Sequence, residues 1–215
     1  MRARNSTTDL RSSTSERQNP NDSVRVLSWR WILSAQELLW NAALDQHGFV
    51  TLSDARRLGV STDAVVMLAH RGKIQRVATA VYRFPRFPAG PNAPYMQAVL
   101  WTGHDQACLS HDTALALYEV SDINPDRVHL TVPRNWRIRR SGGDLYVVHH
   151  ENLTKSEIGW WDEIPAVTLA TAIRQCISSG TPTYLLRQSL ERGLDTGRLN
   201  AADQQDLARR LDERE

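Results

Sequence analysis

The sequence predicts an α+β protein in two parts: a basic helical unit that ends in a short hairpin, then an acidic mixed domain with a small sheet. Its 215 residues are 41% apolar and 23% charged, enough to build one ordinary domain or two small ones. Residues 1–88 hold 13 Lys and Arg against 7 Asp and Glu, whereas residues 89–215 hold 13 against 17. Four of the nine prolines fall between positions 85 and 94, which places the boundary near residue 88.

Composition also narrows the class of protein. The chain has no apolar run of about 18 residues, so we expect no membrane span. The polar segment 1–23 has no apolar core of a signal peptide, and we expect a disordered tail there. Two cysteines, Cys108 and Cys176, without a Cys-x-x-Cys spacing predict neither a disulfide scaffold nor a cysteine zinc site. We therefore expect a cytoplasmic protein.

Local signals give the order of elements in residues 24–88. Ser34 is a predicted helix cap, Ser53 another, and Gly72 a helix terminator. Together with apolar periodicity these signals predict helices near 35–47, 54–58 and 62–71, followed by strands at 73–77 and 80–84. The order of two helices, a glycine-containing turn, a third helix and a hairpin is that of a winged helix-turn-helix.

This arrangement predicts a DNA-binding surface on the third helix and the hairpin. Val65, Leu68 and Ala69 would face the core. Four residues would lie toward the groove: Thr62, Met67, His70 and Arg71. Five cations would hold phosphates: Arg56, Arg57, Lys73, Arg76 and Arg83. A charged hairpin is often only a solvated face, but here the cations lie together on the predicted helix and wing. About four phosphate contacts would give a log–log salt slope of about −3 to −4 per protomer.

Residues 89–215 predict an α+β domain with a small sheet. A helix begins at Pro94, and Ser110 is a predicted cap of the next one. Strands are predicted at 128–132 and 145–149 because side chains there alternate with period two. Three further helices are predicted at 168–177, 182–193 and 201–213.

Candidate chemistry in this domain does not amount to a predicted active site. Three consecutive residues such as Ser110-His111-Asp112 cannot form a catalytic triad in line. His149 and His150 would point to opposite faces of a strand, so they cannot share an ion without a third ligand. The Glu-x-Lys signature of restriction-type nucleases and the glycine-rich phosphate loops are absent from the sequence. We therefore predict no catalytic residue, no metal and no cofactor.

The pair Trp160-Trp161 has two interpretations. Core packing is the preferred one, and a hydrophobic anchor for a partner protein is the alternative.

Several segments in order resemble AbiEi-type antitoxins. In the first half they are Ala55-Arg56-Arg57-Leu58-Gly59-Val60-Ser61, His70-Arg71-Gly72-Lys73-Ile74 and Val81-Tyr82-Arg83. In the second half they are Leu109-Ser110-His111-Asp112-Thr113-Ala114-Leu115, Val128-His129-Leu130-Thr131-Val132-Pro133 and Ile164-Pro165-Ala166-Val167-Thr168-Leu169. The family pattern often has Gly before the Val-Tyr pair of the wing, where this chain has Ala80.

The resemblance implies the antitoxin of a two-gene toxin–antitoxin pair. Its implied partners are a nucleotidyltransferase toxin and the double-stranded DNA of its own promoter, which it would bind as an autorepressor; a dimer on DNA is compatible with this role. Two alternatives stay open: an enzyme that inactivates the toxin by covalent modification such as phosphoryl transfer, and a ligand-responsive winged-helix transcription factor.

Overall fold

A computed structural model describes residues 34–214, which include all but the first ten residues of the predicted DNA-binding unit. The expected tail at residues 1–23 lies outside the described residues. From Ser34 onward the chain forms one compact unit. Its fold class is the α+β class predicted from the sequence, with a winged helix-turn-helix followed by a mixed domain.

The first half contains three helices and a three-stranded sheet. In chain order they are α1 (Ala35–Leu44), β1 (Phe49–Thr51), α2 (Leu52–Arg57), α3 (Thr62–His70), β2 (Gln75–Ala78) and β3 (Val81–Arg83). The sheet order is β1-β3-β2, and both strand pairs are antiparallel. Leu39, Val50, Val65 and Ile74 are among the side chains buried beneath it.

One predicted cap in this half is wrong. The helix α2 begins two residues earlier than predicted, and Thr51 caps it instead of Ser53. The Thr51 hydroxyl accepts a hydrogen bond from the Asp54 N–H (3.1 Å), and the Asp54 carboxylate accepts one from the Thr51 N–H (2.8 Å). This reciprocal pair satisfies two N–H groups at the helix start, which a cap at Ser53 would leave open.

The second half is built around a five-stranded sheet. In chain order it contains α4 (Ala93–Thr102), β4 (Cys108–Leu109), α5 (His111–Leu117), β5 (Val128–Val132), β6 (Tyr146–His150), a 3₁₀ turn (Lys155–Glu157), β7 (Ile158–Trp161), β8 (Ile164–Val167), α6 (Leu169–Ser179), α7 (Thr183–Asp195) and α8 (Ala201–Asp212). The sheet order is β6-β5-β4-β8-β7, with parallel pairs β5/β6 and β4/β8.

A shared core crosses the proline-rich segment. Phe49 and Val81 of the first sheet belong to the same buried cluster as Met96, Val99 and Trp101 of α4. A second cluster lies between α5 and the helices α6, α7 and α8. Each half therefore has a buried cluster of its own and the two halves share a third one, and the status of residue 88 as a boundary between folding units stays a prediction.

Candidate nucleic-acid interface

The helix α3 has one buried side and one exposed side. Ser61 caps its start by accepting a hydrogen bond from the Ala64 N–H at 3.2 Å. Val65 is buried, and Leu68 and Ala69 are half-buried against the same core. The residues predicted to face the core therefore do so, which leaves the opposite side of the helix to solvent.

All four residues expected to lie toward the groove are exposed. They are Thr62, Met67, His70 and Arg71. Val66 is also exposed, at 52% of its accessible surface, beside Met67 at 47%. Val66 was missing from the predicted surface because a β-branched apolar residue next to Val65 suggests core packing from sequence alone.

The hairpin that follows α3 contributes two exposed cations. Lys73 and Arg76 are both exposed, and the Arg76 Nε–H donates a hydrogen bond to the Ala78 carbonyl at 3.3 Å. Together with Arg71, these two cations come directly after α3 in the sequence. Their exposure satisfies the geometric condition for contact with a polyanion.

Arg83 is held by its own chain. Its Nη2 donates to the carbonyls of Phe87 (2.9 Å) and Pro88 (3.2 Å), and the guanidinium lies 5.7 Å from the centre of the Phe49 ring. The side chain is half-buried. These contacts give Arg83 a structural role in fastening the proline-rich segment.

The two arginines of α2 line a cleft between the two halves. Arg56 and Arg57 are exposed, and Arg57 is ion-paired with the buried Asp54. The cleft measures about 1030 Å³, and Met96, Val99 and Trp160 are among the apolar residues that line it. Both arginines are therefore available to a molecule in the cleft, and Arg57 is partly neutralised.

In the second half, the structure brings together three histidines that are far apart in the sequence. His111 opens α5, His129 lies on β5, and His149 lies on β6. The rings of His111 and His149 stack with centroids 3.5 Å apart, and His149 Nε2 lies 3.2 Å from His129 Nδ1. The partners of His149 are therefore these two residues and not His150. Sequence spacing could not show this, because the strands β5 and β6 become neighbours only in the folded sheet.

Burial keeps this histidine cluster neutral at pH 7. It lowers the pKa of His111 to about 3, with further lowering from His149, His129 and Arg174. It also lowers the pKa of His149 to about 4, and shifts the pKa of His129 downward. Within residues 34–214, no group of three His, Cys, Asp or Glu side chains is arranged to hold a metal ion.

Ser110 occupies the cap position of α5 without capping it. Its buried hydroxyl lies 3.0 Å from His111 Nδ1, and its side chain makes no hydrogen bond to the helix N–H groups. The cap prediction is therefore wrong in its mechanism, because the imidazole competes for the hydroxyl. His111 itself has φ +51°, a left-handed conformation that is uncommon for a residue with a side chain.

The two cysteines are unsuited to nucleophilic chemistry. Cys108 and Cys176 are both buried and free. Burial raises the pKa of the Cys108 thiol to about 12 and that of Cys176 still further, so neither forms a thiolate near pH 7.

The two neighbouring tryptophans differ in exposure. Trp161 is half-buried and packs edge-on against Tyr95, with ring centroids 6.1 Å apart. Trp160 is 73% exposed on β7, at one edge of the five-stranded sheet. The preferred interpretation of the pair as core packing is therefore wrong for Trp160, because alternation along the strand turns it away from the core.

Within the described part of the chain, no helix is long and apolar enough to cross a membrane.

Comparison with known proteins finds a family match within the first half of the chain. Residues 39–85 match the family described as "Transcriptional regulator, AbiEi antitoxin". A crystal structure of the RV2827C protein from Mycobacterium tuberculosis is similar over 84% of this chain and 83% of that one, at 16% identity and a TM-score of 0.38. No curated protein matches the chain. The matched segment runs from α1 through β3, so residues 39–85 are similar to the transcriptional regulators described as AbiEi antitoxins.

Proposed function

We propose that this protein is a cytoplasmic antitoxin that represses its own promoter and neutralises a nucleotidyltransferase toxin. The observation that carries the DNA-binding part is the exposed side of α3, which continues into the exposed cations Arg71, Lys73 and Arg76. In winged-helix proteins such a helix enters the major groove and the wing contacts the backbone. Thr62, Met67 and His70 would then face base edges, with Arg56 as a further phosphate contact.

The test is a titration of labelled promoter DNA with the full chain and with Arg71→Ala and Arg76→Ala. We expect each variant to bind about tenfold more weakly, because a lost charged contact costs about 1.5 kcal/mol. Each should also make the plot of log affinity against log salt concentration less steep, by about 1 in slope. Arg127→Ala, an exposed arginine just before β5, is the matched control and should bind like the wild type. Unchanged affinity in both test variants would contradict the proposal.

Trp160 supports a protein partner on the second half. A tryptophan exposed to 73% on an edge strand is the kind of residue that anchors protein interfaces. We therefore propose that the toxin contacts this face. Co-expression of this protein with its proposed nucleotidyltransferase toxin should rescue growth, and Trp160→Ala should weaken the rescue. Intact mass of the toxin distinguishes contact from covalent modification, since only modification changes the mass.

The cleft favours one second candidate, a ligand-responsive transcription factor. Its volume of about 1030 Å³ is large enough for a small molecule, and its walls come from both α2 and α4. A ligand there would touch α2, which precedes α3, the recognition helix of the proposed function. Promoter affinity that changes with a small-molecule extract, and not with the toxin, would favour this candidate.

A further inference from the structure

The exposed side of α3 carries two apolar side chains midway along the length of the helix. Asp63, Val66, Met67 and His70 follow the spacing i, i+3, i+4, i+7, which places them on one stripe about 100° wide. All four are exposed, and Val66 and Met67, consecutive in the sequence, lie at the two edges of this stripe with 52% and 47% of their surfaces in solvent. The core does not need them, because Val65, Leu68 and Ala69 cover the buried side.

Single exposed apolar residues are ordinary, but this pair lies in a particular setting. Ser61 and Thr62 precede it at the start of the helix, and the exposed cations Arg71, Lys73 and Arg76 follow it. One exposed acid, Asp63, lies on the stripe, but the three cations beyond the C-terminal end of the helix leave an excess of positive charge that suits a polyanion better than an apolar protein partner. The occupant that fits both features is duplex DNA with its backbone on the cations and its base edges on the stripe.

An apolar side chain in the major groove can distinguish one group among the four bases. Only thymine presents a methyl group there, whereas the other base edges present hydrogen-bond donors and acceptors. We propose that Val66 and Met67 read thymine 5-methyl groups, so that each half-site of the operator contains at least one required thymine. This inference rests on the proposed function, since it names what the recognition helix reads.

The experiment replaces single thymines by uracil, which removes only the methyl group. The wild-type protein first selects its site from a random duplex pool, and each thymine of that site is then changed in turn. We expect at least one position where uracil weakens binding about three- to fivefold, the effect of one buried methyl group. At that position Val66→Ala or Met67→Ala should bind the thymine and uracil duplexes equally well.

The control is Leu145→Ala, which removes an apolar side chain that is 68% exposed far along the chain, just before β6. It should keep the full wild-type sensitivity to uracil. Because all three replaced side chains are exposed, thermal melts should confirm that each variant is folded.

The possible failures are distinct. If the protein selects no site from the pool, both the proposed DNA-binding role and this inference are overturned. A protein that selects a site in a salt-dependent way but tolerates uracil everywhere keeps the proposed function and overturns the inference. Sensitivity to uracil that persists in both α3 variants also overturns it, because another residue would then read the methyl group.

Discussion

Several turns in the winged helix hold residues in the left-handed backbone region, and two of them, at Ala80 and Gly48, differ in the room they leave for a side chain. Ala80 connects β2 to β3 with φ +60°, and its carbonyl accepts a hydrogen bond from the Leu52 N–H at 3.0 Å. Gly48 precedes β1 with φ +85°, and the Phe87 ring packs where its side chain would be. The backbone at Ala80 is therefore strained by the presence of a side chain, and at Gly48 the Phe87 ring leaves no room for one.

Ala80→Gly should stabilise the protein by about 0.5–1 kcal/mol. Glycine removes the left-handed penalty of about 1–2 kcal/mol, and the greater freedom of the unfolded chain offsets part of that gain. Urea unfolding measures the change. Ala69→Gly, in the interior of α3, is the control and should destabilise by about 1 kcal/mol. Equal destabilisation by both substitutions would contradict this account.

Gly48→Ala should destabilise more than the matched change Gly59→Ala. Both glycines have positive φ, +85° and +72°, but nothing lies within 4 Å of a side chain built on Gly59. We expect about 1 kcal/mol for the strain alone at Gly59 and about 2–4 kcal/mol at Gly48, where Phe87 must also move. Similar losses at the two positions in thermal melts would show that the ring moves easily.

At the scale of elements, α6 is fastened to the sheet by a charged network. The Arg174 guanidinium donates to Glu151 at 2.8 Å and to Glu157 at 3.0 Å, so one helix residue joins the end of β6 to the 3₁₀ turn. Gln175 adds a hydrogen bond to Glu151 at 2.7 Å. The three charged side chains are 26–30% exposed. Partial burial makes such a pair stronger than an ion pair in open solvent.

Arg174→Ala should lower the free energy of unfolding by about 1–2 kcal/mol, because two half-buried carboxylates lose their cation. Arg209→Ala is the control. Arg209 pairs with Asp206 on α8, where the two side chains are 68% and 38% exposed. That loss should be smaller than the loss in Arg174→Ala, because an ion pair in open solvent contributes little to stability. Denaturant titration of both variants measures the difference, and equal losses would show that burial adds nothing to the α6 network.

At the scale of the whole molecule, the histidine cluster makes folding depend on pH. An unfolded histidine binds a proton below about pH 6.5, whereas His149 and His111 in the folded protein do so only near pH 4 and pH 3. The unfolded state therefore binds more protons in this window, and stability falls as pH falls. Above about pH 7 the cluster is neutral in both states and contributes no pH dependence.

Between pH 7 and pH 4 the free energy of unfolding should fall on the order of 3 kcal/mol for each of His149 and His111. His149→Gln should reduce the slope by about one proton in that range, because it removes one buried titrating group. Denaturant unfolding at several pH values measures the slope in both proteins. An unchanged slope in the variant would mean that His149 does not titrate with folding.

The sequence predicted those features that depend on residues close together along the chain. The helix α3, its buried face and the hairpin follow from capping, periodicity and glycine position, all of which act within a few residues. The histidine cluster could not be predicted, because His111, His129 and His149 meet only when β4, β5 and β6 align. The same holds for the two carbonyls that accept hydrogen bonds from Arg83, whose phosphate contact stays a prediction.

The hydrogen bonds of the proline-rich segment affect how the proposed complex of this protein with a toxin and DNA would be arranged. Arg83 fastens it at Phe87 and Pro88, and the Asn92 amide donates to Asp162 at the tip of the β7–β8 hairpin at 2.5 Å. His47 holds the same tip through the Asp162 carbonyl at 2.8 Å. These hydrogen bonds join the proline-rich segment to both halves, so we expect α3 and the Trp160 edge to keep a fixed arrangement. A toxin seated on that edge would arrive at the operator in a single orientation.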